Sequence, residues 1–202
     1  MSSSAHSPEV PDELSVAREA LKNKGAMEKV RGQLKGPLVL AAEGLRKAPG
    51  RDYLYEKWAS MDAAEKRKTL SDPSLFQQLI MLSNPYSFLK GLKGGFDRQV
   101  FACLLLMGVI GGEVEDESIA QEFLAPDQVE GIVSKLCSLV SFVQPEFAVV
   151  VEALNVKALG RDQLNQLFIE VREEIGPVPT TVAEEHNKVV AADPEAGLKK
   201  AA

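Results

Sequence analysis

The sequence has few of the residues that most often carry catalytic or redox chemistry. It contains two histidines, His6 and His186, and two cysteines, Cys103 and Cys137, among its 202 residues. The cysteines lie inside apolar segments and form no CxxC pair, so they predict small buried side chains rather than a disulfide, a redox motif or a zinc site. This pattern favours an intracellular, reducing compartment, with the cytoplasm preferred over the interior of an organelle.

The sequence also lacks the short motifs of nucleotide-binding and hydrolytic enzymes: GxGxxG, GxxxxGK with Ser or Thr, GxSxG and HExxH. The glycines of 91–95 follow no predicted strand and do not have P-loop spacing, so we interpret them as the end of one helix before another. His186 beside Glu184 and Glu185 is interpreted as solvated helix surface. The sequence therefore predicts no catalytic residue, no cofactor and no enzyme activity.

Carboxylates are frequent, but their spacing does not match a metal site. The acidic run 113–117 lacks the central glycine and the terminal glutamate of a calcium-binding EF-hand loop. A helical di-metal centre would need two Glu-x-x-His pairs, and the chain contains none. No metal is therefore expected.

Long hydrophobic runs are missing as well. The longest apolar run, 100–110, would extend about 16 Å as a helix, whereas the hydrocarbon core of a bilayer is about 30 Å thick. Residues 1–11 have no charged segment followed by an apolar one, so no secretory signal is predicted. Because these residues are small, polar and proline-containing, we expect them to be disordered.

The charge of the chain is unevenly distributed, although the net value is a moderate −6. Residues 22–68 carry 12 Lys or Arg and 6 Asp or Glu, whereas residues 113–195 carry 5 and 17. One interpretation is that the two regions attract each other within one molecule or face water. The other is a bipolar surface that orients copies or partners during assembly.

Nucleic-acid binding is not predicted. The acidic net charge argues against it. One stretch, 51–68, does combine basic and aromatic residues, as the binding of single-stranded nucleic acid requires. Asp52, Glu56, Asp62 and Glu65 interrupt that stretch and reduce its positive charge.

Apolar residues recur with helical periodicity along most of the chain, and no segments show the two-residue alternation of half-buried strands. This predicts an all-α fold with one domain, a globular multi-helix bundle over 12–176. A disordered segment, 1–11, would precede it, and a C-terminal arm, 177–202, would follow. In the first quarter of the chain, glycines and Pro37 predict three separate helices, over about 12–22, 27–34 and 37–45.

The middle of the chain predicts the centre of the bundle. Residues 96–110 are apolar on every face, which is typical of a helix buried on all sides, so amphipathic helices should surround it. The most regular amphipathic helix has its apolar residues at Leu164, Leu167, Phe168, Val171 and Ile175.

Helix start signals are clear at several points. Asp72 before Pro73 is typical of an N-cap followed by proline at the first helical position. Capping-box spacing occurs at Asp62 with Glu65, at Asp127 with Glu130 and at Thr181 with Glu184.

The end of the chain predicts an arm that could reach a neighbour. Gly176 and the prolines that follow should end a helix and keep the chain extended, and a short helix over 182–192 could then bind in a groove of another protein. The predicted interaction residues are Pro177, Pro179, Val182 and Val189 in the arm, and Arg51, Tyr55, Lys66 and Arg67 in the basic stretch.

Together these features predict a non-enzymatic interaction or structural protein, a subunit or accessory factor of a larger assembly. A protein partner or self-association is expected, without nucleic acid or a membrane span. The alternative is a helical bundle that binds a small apolar ligand, a lipid or pigment, in its core beside 96–110.

Overall fold

The computed structural model describes residues 13–48, 51–82, 98–111 and 114–178. Within these ranges the fold is all-α, as predicted, with helices and turns and no strand. The helices are α1 Glu13–Arg46, α2 Arg51–Ala59, α3 Ala63–Ser71, α4 Pro73–Leu82, α5 Arg98–Leu106, α6 Val114–Glu122, α7 Val129–Val143, α8 Ala148–Glu152 and α9 Arg161–Ile175. Short 3-10 turns precede α7, α8 and α9.

Helix α1 corrects the prediction of three separate helices in this region. It runs unbroken for 34 residues and contains Pro37. An interior proline removes one backbone hydrogen bond, and an interior glycine costs about 1 kcal/mol. Burial outweighs these local costs, because Leu34, Leu38 and Leu45 are at most 1% exposed.

Helix α5 confirms the predicted buried centre. All seven side chains from Val100 to Leu106 are buried. The helix ends at Leu106, four residues earlier than predicted, yet the turn over 107–110 is also buried. Gly108 and Gly111 have φ angles of +69° and +90°, which favour glycine and allow the chain to leave the core here.

The core around α5 is aromatic on one side. Trp58 of α2 and Phe76 of α4 both make edge-to-face contacts with Phe101, at ring-centroid distances of 5.1 and 5.6 Å. Leu54 and Trp58, four residues apart in α2, share a buried face of that helix. Both cysteines are free and buried as expected, and burial raises the pKa of the Cys137 thiol to about 11.

Helix α9 packs against α1, so the first and last described helices are neighbours. Its apolar face matches the predicted spacing, since Leu164, Leu167, Phe168 and Val171 are buried. It ends at Gly176, which has a φ of +71°.

Two of the predicted helix starts are confirmed, and one is wrong. Asp62 and Glu65 form a reciprocal capping box, and Asp72 accepts a hydrogen bond from the Ser74 N–H at 2.8 Å. Asp127 does not cap α7, because it lies inside the 3-10 turn Pro126–Gln128 that precedes the helix. The proposed cap at Thr181 lies outside the described residues.

Ion pairs inside the molecule join the basic and acidic regions of the sequence, in agreement with the first interpretation of the charge asymmetry. The four pairs are Lys35–Glu174, Arg31–Glu170, Lys66–Asp116 and Arg67–Glu122. Part of the opposite charge is therefore matched within one copy. No helix in the described ranges is both long enough and apolar enough to cross a membrane.

Candidate functional site

A surface cleft of about 590 Å³ lies between α2, α3, the start of α6 and the C-terminal ends of α1, α5 and α9. Helix ends converge there because α5 leaves the core at Gly108 and α9 stops at Gly176 on the same side of the molecule. The described residues that line it are Arg46, Tyr55, Trp58, Ala59, Met61, Asp62, Ala63, Lys66, Leu105, Gly108, Gly111, Glu115, Asp116, Glu117, Arg172, Gly176, Pro177 and Val178.

Some of the predicted interaction residues meet at this cleft. Tyr55, Lys66 and Pro177 line it, although the last is 111 positions from Lys66 in the chain. The guanidinium of Arg51 is buried and lies 4.9 Å from the centroid of the Tyr55 ring, in a cation–π contact behind the cleft wall. Arg67 lies elsewhere, in an exposed ion pair with Glu122.

The other predicted interaction residues, Pro179, Val182 and Val189, lie outside the described residues. The beginning of the predicted arm is described and lies against the body of the protein. Val178 is partly buried, and the carbonyl of Pro177 accepts a hydrogen bond from Arg46 at 3.2 Å. A Cβ added at Gly111 would stand 3.0 Å from Val178 and 2.6 Å from Tyr55, so this wall requires glycine.

A buried ion pair forms one side of the cleft. Lys66 Nζ lies 2.6 Å from Asp116 Oδ1, and the two side chains are 11% and 4% exposed. The same ammonium group lies 5.6 Å from the centroid of the Trp58 ring. The indole N–H of Trp58 is buried and has no acceptor among the described residues, so the cleft wall contains one unused donor.

Arg46, at the end of α1, connects this helix to the C-terminal ends of α5 and α9 at the cleft. Its guanidinium donates to the carbonyls of Gly108 at 2.7 Å, Ile175 at 2.8 Å and Gly176 at 2.7 Å, in addition to Pro177. Burial, and then the nearby charge of Arg51, lower the pKa of Arg46. These contacts give Arg46 a structural role.

Most charged groups of the cleft already have partners. Arg172 pairs with Glu117, Lys66 pairs with Asp116, and Asp62 caps α3. No group of three or more metal-ligating side chains is found among the described residues.

The exposed end of α1, residues 18–29, is a second candidate surface, which sequence reasoning missed. Every side chain in it is exposed except the half-buried Met27, and Leu21 is 69% exposed. From residue 18 onward, the first side chain of the helix that is buried in the core is Val30. The segment carries four basic and two acidic residues, and its run of polar residues around one leucine was the available signal.

A third surface, the apolar corner, lies at residues 142–152, where α7 turns into α8. Val149 and Val150 are 76% and 42% exposed, and Phe142 is 42% exposed. Glu146 and Glu152 are exposed beside them. The sequence predicts a short helix after Pro145 with Phe147, Val150, Val151 and Leu154 on its apolar side. In the structure α8 is only five residues long, and it buries Val151 but leaves Val150 exposed.

Comparison with known protein families, with curated proteins and with solved structures found no match to this chain. No residue role can therefore be transferred from a relative. The function has to be argued from the surfaces described above.

Proposed function

We propose that this chain is a non-enzymatic helical interaction protein, a subunit or accessory factor of a larger protein assembly. The observation that carries the proposal is the exposed end of α1, which extends about 18 Å beyond the packed part of its helix. The helix-in-groove mode of binding fits such an element.

Elementary helix energetics support a partner for this segment. The segment extends a helix that the packed part of α1 already nucleates, but each added exposed residue gains little in water, because helix propagation is close to neutral even for good helix formers. The segment also contains Gly25, a poor helix former with open space around it. Its side chains bury little surface against the core of the same chain, whereas docking in a groove would bury Leu21.

The chemistry of the segment indicates what kind of groove would fit. Leu21 is flanked by Arg18, Lys22 and Lys24, all of them exposed. An apolar anchor surrounded by cations matches a shallow apolar surface with an acidic rim, since complementary charge steers encounter and fixes the register.

The cleft supports the non-enzymatic part of the proposal. Its lysine, its arginines and most of its carboxylates are held in ion pairs, a helix cap or backbone hydrogen bonds. A catalytic acid or base has to be free to exchange a proton with a substrate.

The alternative of an apolar core ligand stays a prediction. Among the residues of α5, only Leu105 lines the cleft, so the cleft gives no access along the central helix. Native mass spectrometry of the gently purified protein tests the alternative, because a bound lipid or pigment would add a fixed mass.

The proposed function is tested by quantitative affinity purification of the tagged full-length chain from its native cells. We expect Leu21→Glu to reduce recovery of specific partners on the order of tenfold, because a charge replaces the apolar anchor. The matched control is Met81→Glu, at a methionine of α4 that is 56% exposed. Thermal denaturation should show both variants folded.

The proposal fails if Leu21→Glu recovers the same partners in the same amounts as the unmodified chain. It also fails if Met81→Glu loses them equally, because the effect would then follow from surface charge in general.

A further inference from the structure

We propose that the partner of the exposed end of α1 is a second copy of this chain. In this arrangement, residues 18–29 of one copy lie on the apolar corner of the other, and the contact is repeated in the opposite direction. The inference rests on the proposed function, because it names the partner of the same segment.

The apolar corner has the composition of a binding surface. Val149 and Val150 are adjacent in sequence and are 76% and 42% exposed, and the half-buried Phe147 packs beside them against the core. Single exposed apolar residues are common on soluble proteins, but a contiguous group with a polar rim marks an interaction site.

The charges of the two surfaces are complementary. Residues 142–155 contain Glu146 and Glu152 and no lysine or arginine. Both carboxylates are exposed, and no ion pair is found for either of them within the described part of the chain. Residues 18–29 carry Arg18, Lys22, Lys24 and Lys29 against two acids. An apolar surface with an acidic rim is what the exposed end of α1 requires.

The contact cannot form within one molecule, because α1 is continuous. Gly44 of α1 lies against the apolar corner, where a Cβ at that position would stand 3.3 Å from Val143 Cγ1. Lys22 is 22 residues earlier in the same helix, which corresponds to about 33 Å along the axis. The helix thus holds its basic end away from its own corner, and the corner that it can reach belongs to another copy.

Two antiparallel copies of α1 would satisfy both contacts at once. When the helices lie side by side in opposite directions, the exposed end of each reaches the region of Gly44 in the other. A pair of this kind has two-fold symmetry and closes on itself, like most soluble homo-oligomers, so it does not propagate into a filament.

Sedimentation velocity of the purified full-length chain, over a hundredfold range of concentration, tests the proposal. The mass should rise from one copy to two. The double variants Lys22→Glu/Lys24→Glu and Glu146→Lys/Glu152→Lys should each raise the dimer dissociation constant on the order of tenfold or more, because like charges would then face each other. The variant that combines all four substitutions should restore dimerisation.

A matched control changes the same amount of charge away from both surfaces. Lys57→Glu/Lys68→Glu alters two exposed lysines of α2 and α3 and should leave the dissociation constant within about twofold of the original. A mixture of the two double variants should dimerise, because each supplies the surface that complements the other.

A monomer at every concentration would overturn the inference, as would a fourfold variant that dimerises no better than either double variant. The failure of this inference is distinguishable from failure of the proposed function. If the purified chain is monomeric but Leu21→Glu loses partners in the affinity purification, the segment binds a different protein and self-association alone is rejected. If Leu21→Glu changes neither measurement, both proposals are rejected.

Discussion

The two parts of α1 differ in almost every respect except their secondary structure. Residues 30–46 place Leu34, Leu38 and Leu45 in the core, and Arg46 at their end donates hydrogen bonds to four backbone carbonyls. Residues 18–29 bury almost nothing. The packed part bears the cost of helix nucleation, and the exposed end is an extension of an existing helix.

This difference shows that the sequence of one helix can meet two separate requirements, core packing in one part and binding in the other. In the packed part, each apolar residue is required by the fold. In the exposed end, the fold requires only that the backbone continue, so the side chains are free to serve binding. Substitutions from Val30 onward in α1 should therefore change stability, whereas substitutions in residues 18–29 should change association.

The largest expected effect comes from the same substitution made on either side of that boundary. Leu34→Ala should lower the free energy of unfolding by about 2–5 kcal/mol, because a fully buried side chain is replaced by a cavity. Leu21→Ala should change it by less than about 0.5 kcal/mol. Urea denaturation followed by circular dichroism measures both changes. Equal losses of unfolding free energy would contradict the claim that only the packed part of α1 stabilises the fold.

A smaller effect is expected at the end of the packed part. Arg46→Ala should destabilise the protein by about 2–3 kcal/mol, because the carbonyls of Gly108, Ile175 and Gly176 lose a charged donor. The exposed neighbour provides the control, since Lys47→Ala should be nearly neutral. If the two variants have the same denaturation midpoint, Arg46 does not have the role described here.

The smallest effect concerns two glycines of the same helix. Gly32→Ala should stabilise the protein by about 0.5–1 kcal/mol, because alanine is the better helix former and the position has open space around it. Gly44→Ala should gain less, because its Cβ would stand 3.3 Å from Val143 Cγ1. Thermal denaturation of the two variants tests which substitution stabilises more. A larger gain at Gly44 would show that Val143 moves easily to make room for the added Cβ.

Much of the fold could be predicted from local sequence. The apolar spacing of α9 and the uniformly apolar α5 each identify a helix and its buried face, because helix geometry relates positions three and four residues apart. The cap at Asp62 is equally local, since both of its hydrogen bonds join residues three apart.

The remainder depends on contacts between distant parts of the chain. Gly32 and Pro37 are local helix breakers, and the burial that overrides them comes partly from α9, which lies more than 100 residues later. Asp116 belongs to an acidic run whose spacing predicts no metal site, and its burial in α6 could not be predicted locally because α3 supplies its partner Lys66. The cleft likewise exists only after six helices have assembled.

The neighbouring positions of α1 and α9 have a consequence for biosynthesis. A nascent chain emerges with α1 complete, yet α9, which packs against it, is synthesised more than 100 residues later. The part of the hydrophobic stripe of α1 that α9 covers must therefore stay exposed to solvent until α9 has been synthesised, and the native packing can be completed only then. Chains interrupted before residue 161 should consequently depend on chaperones to avoid aggregation.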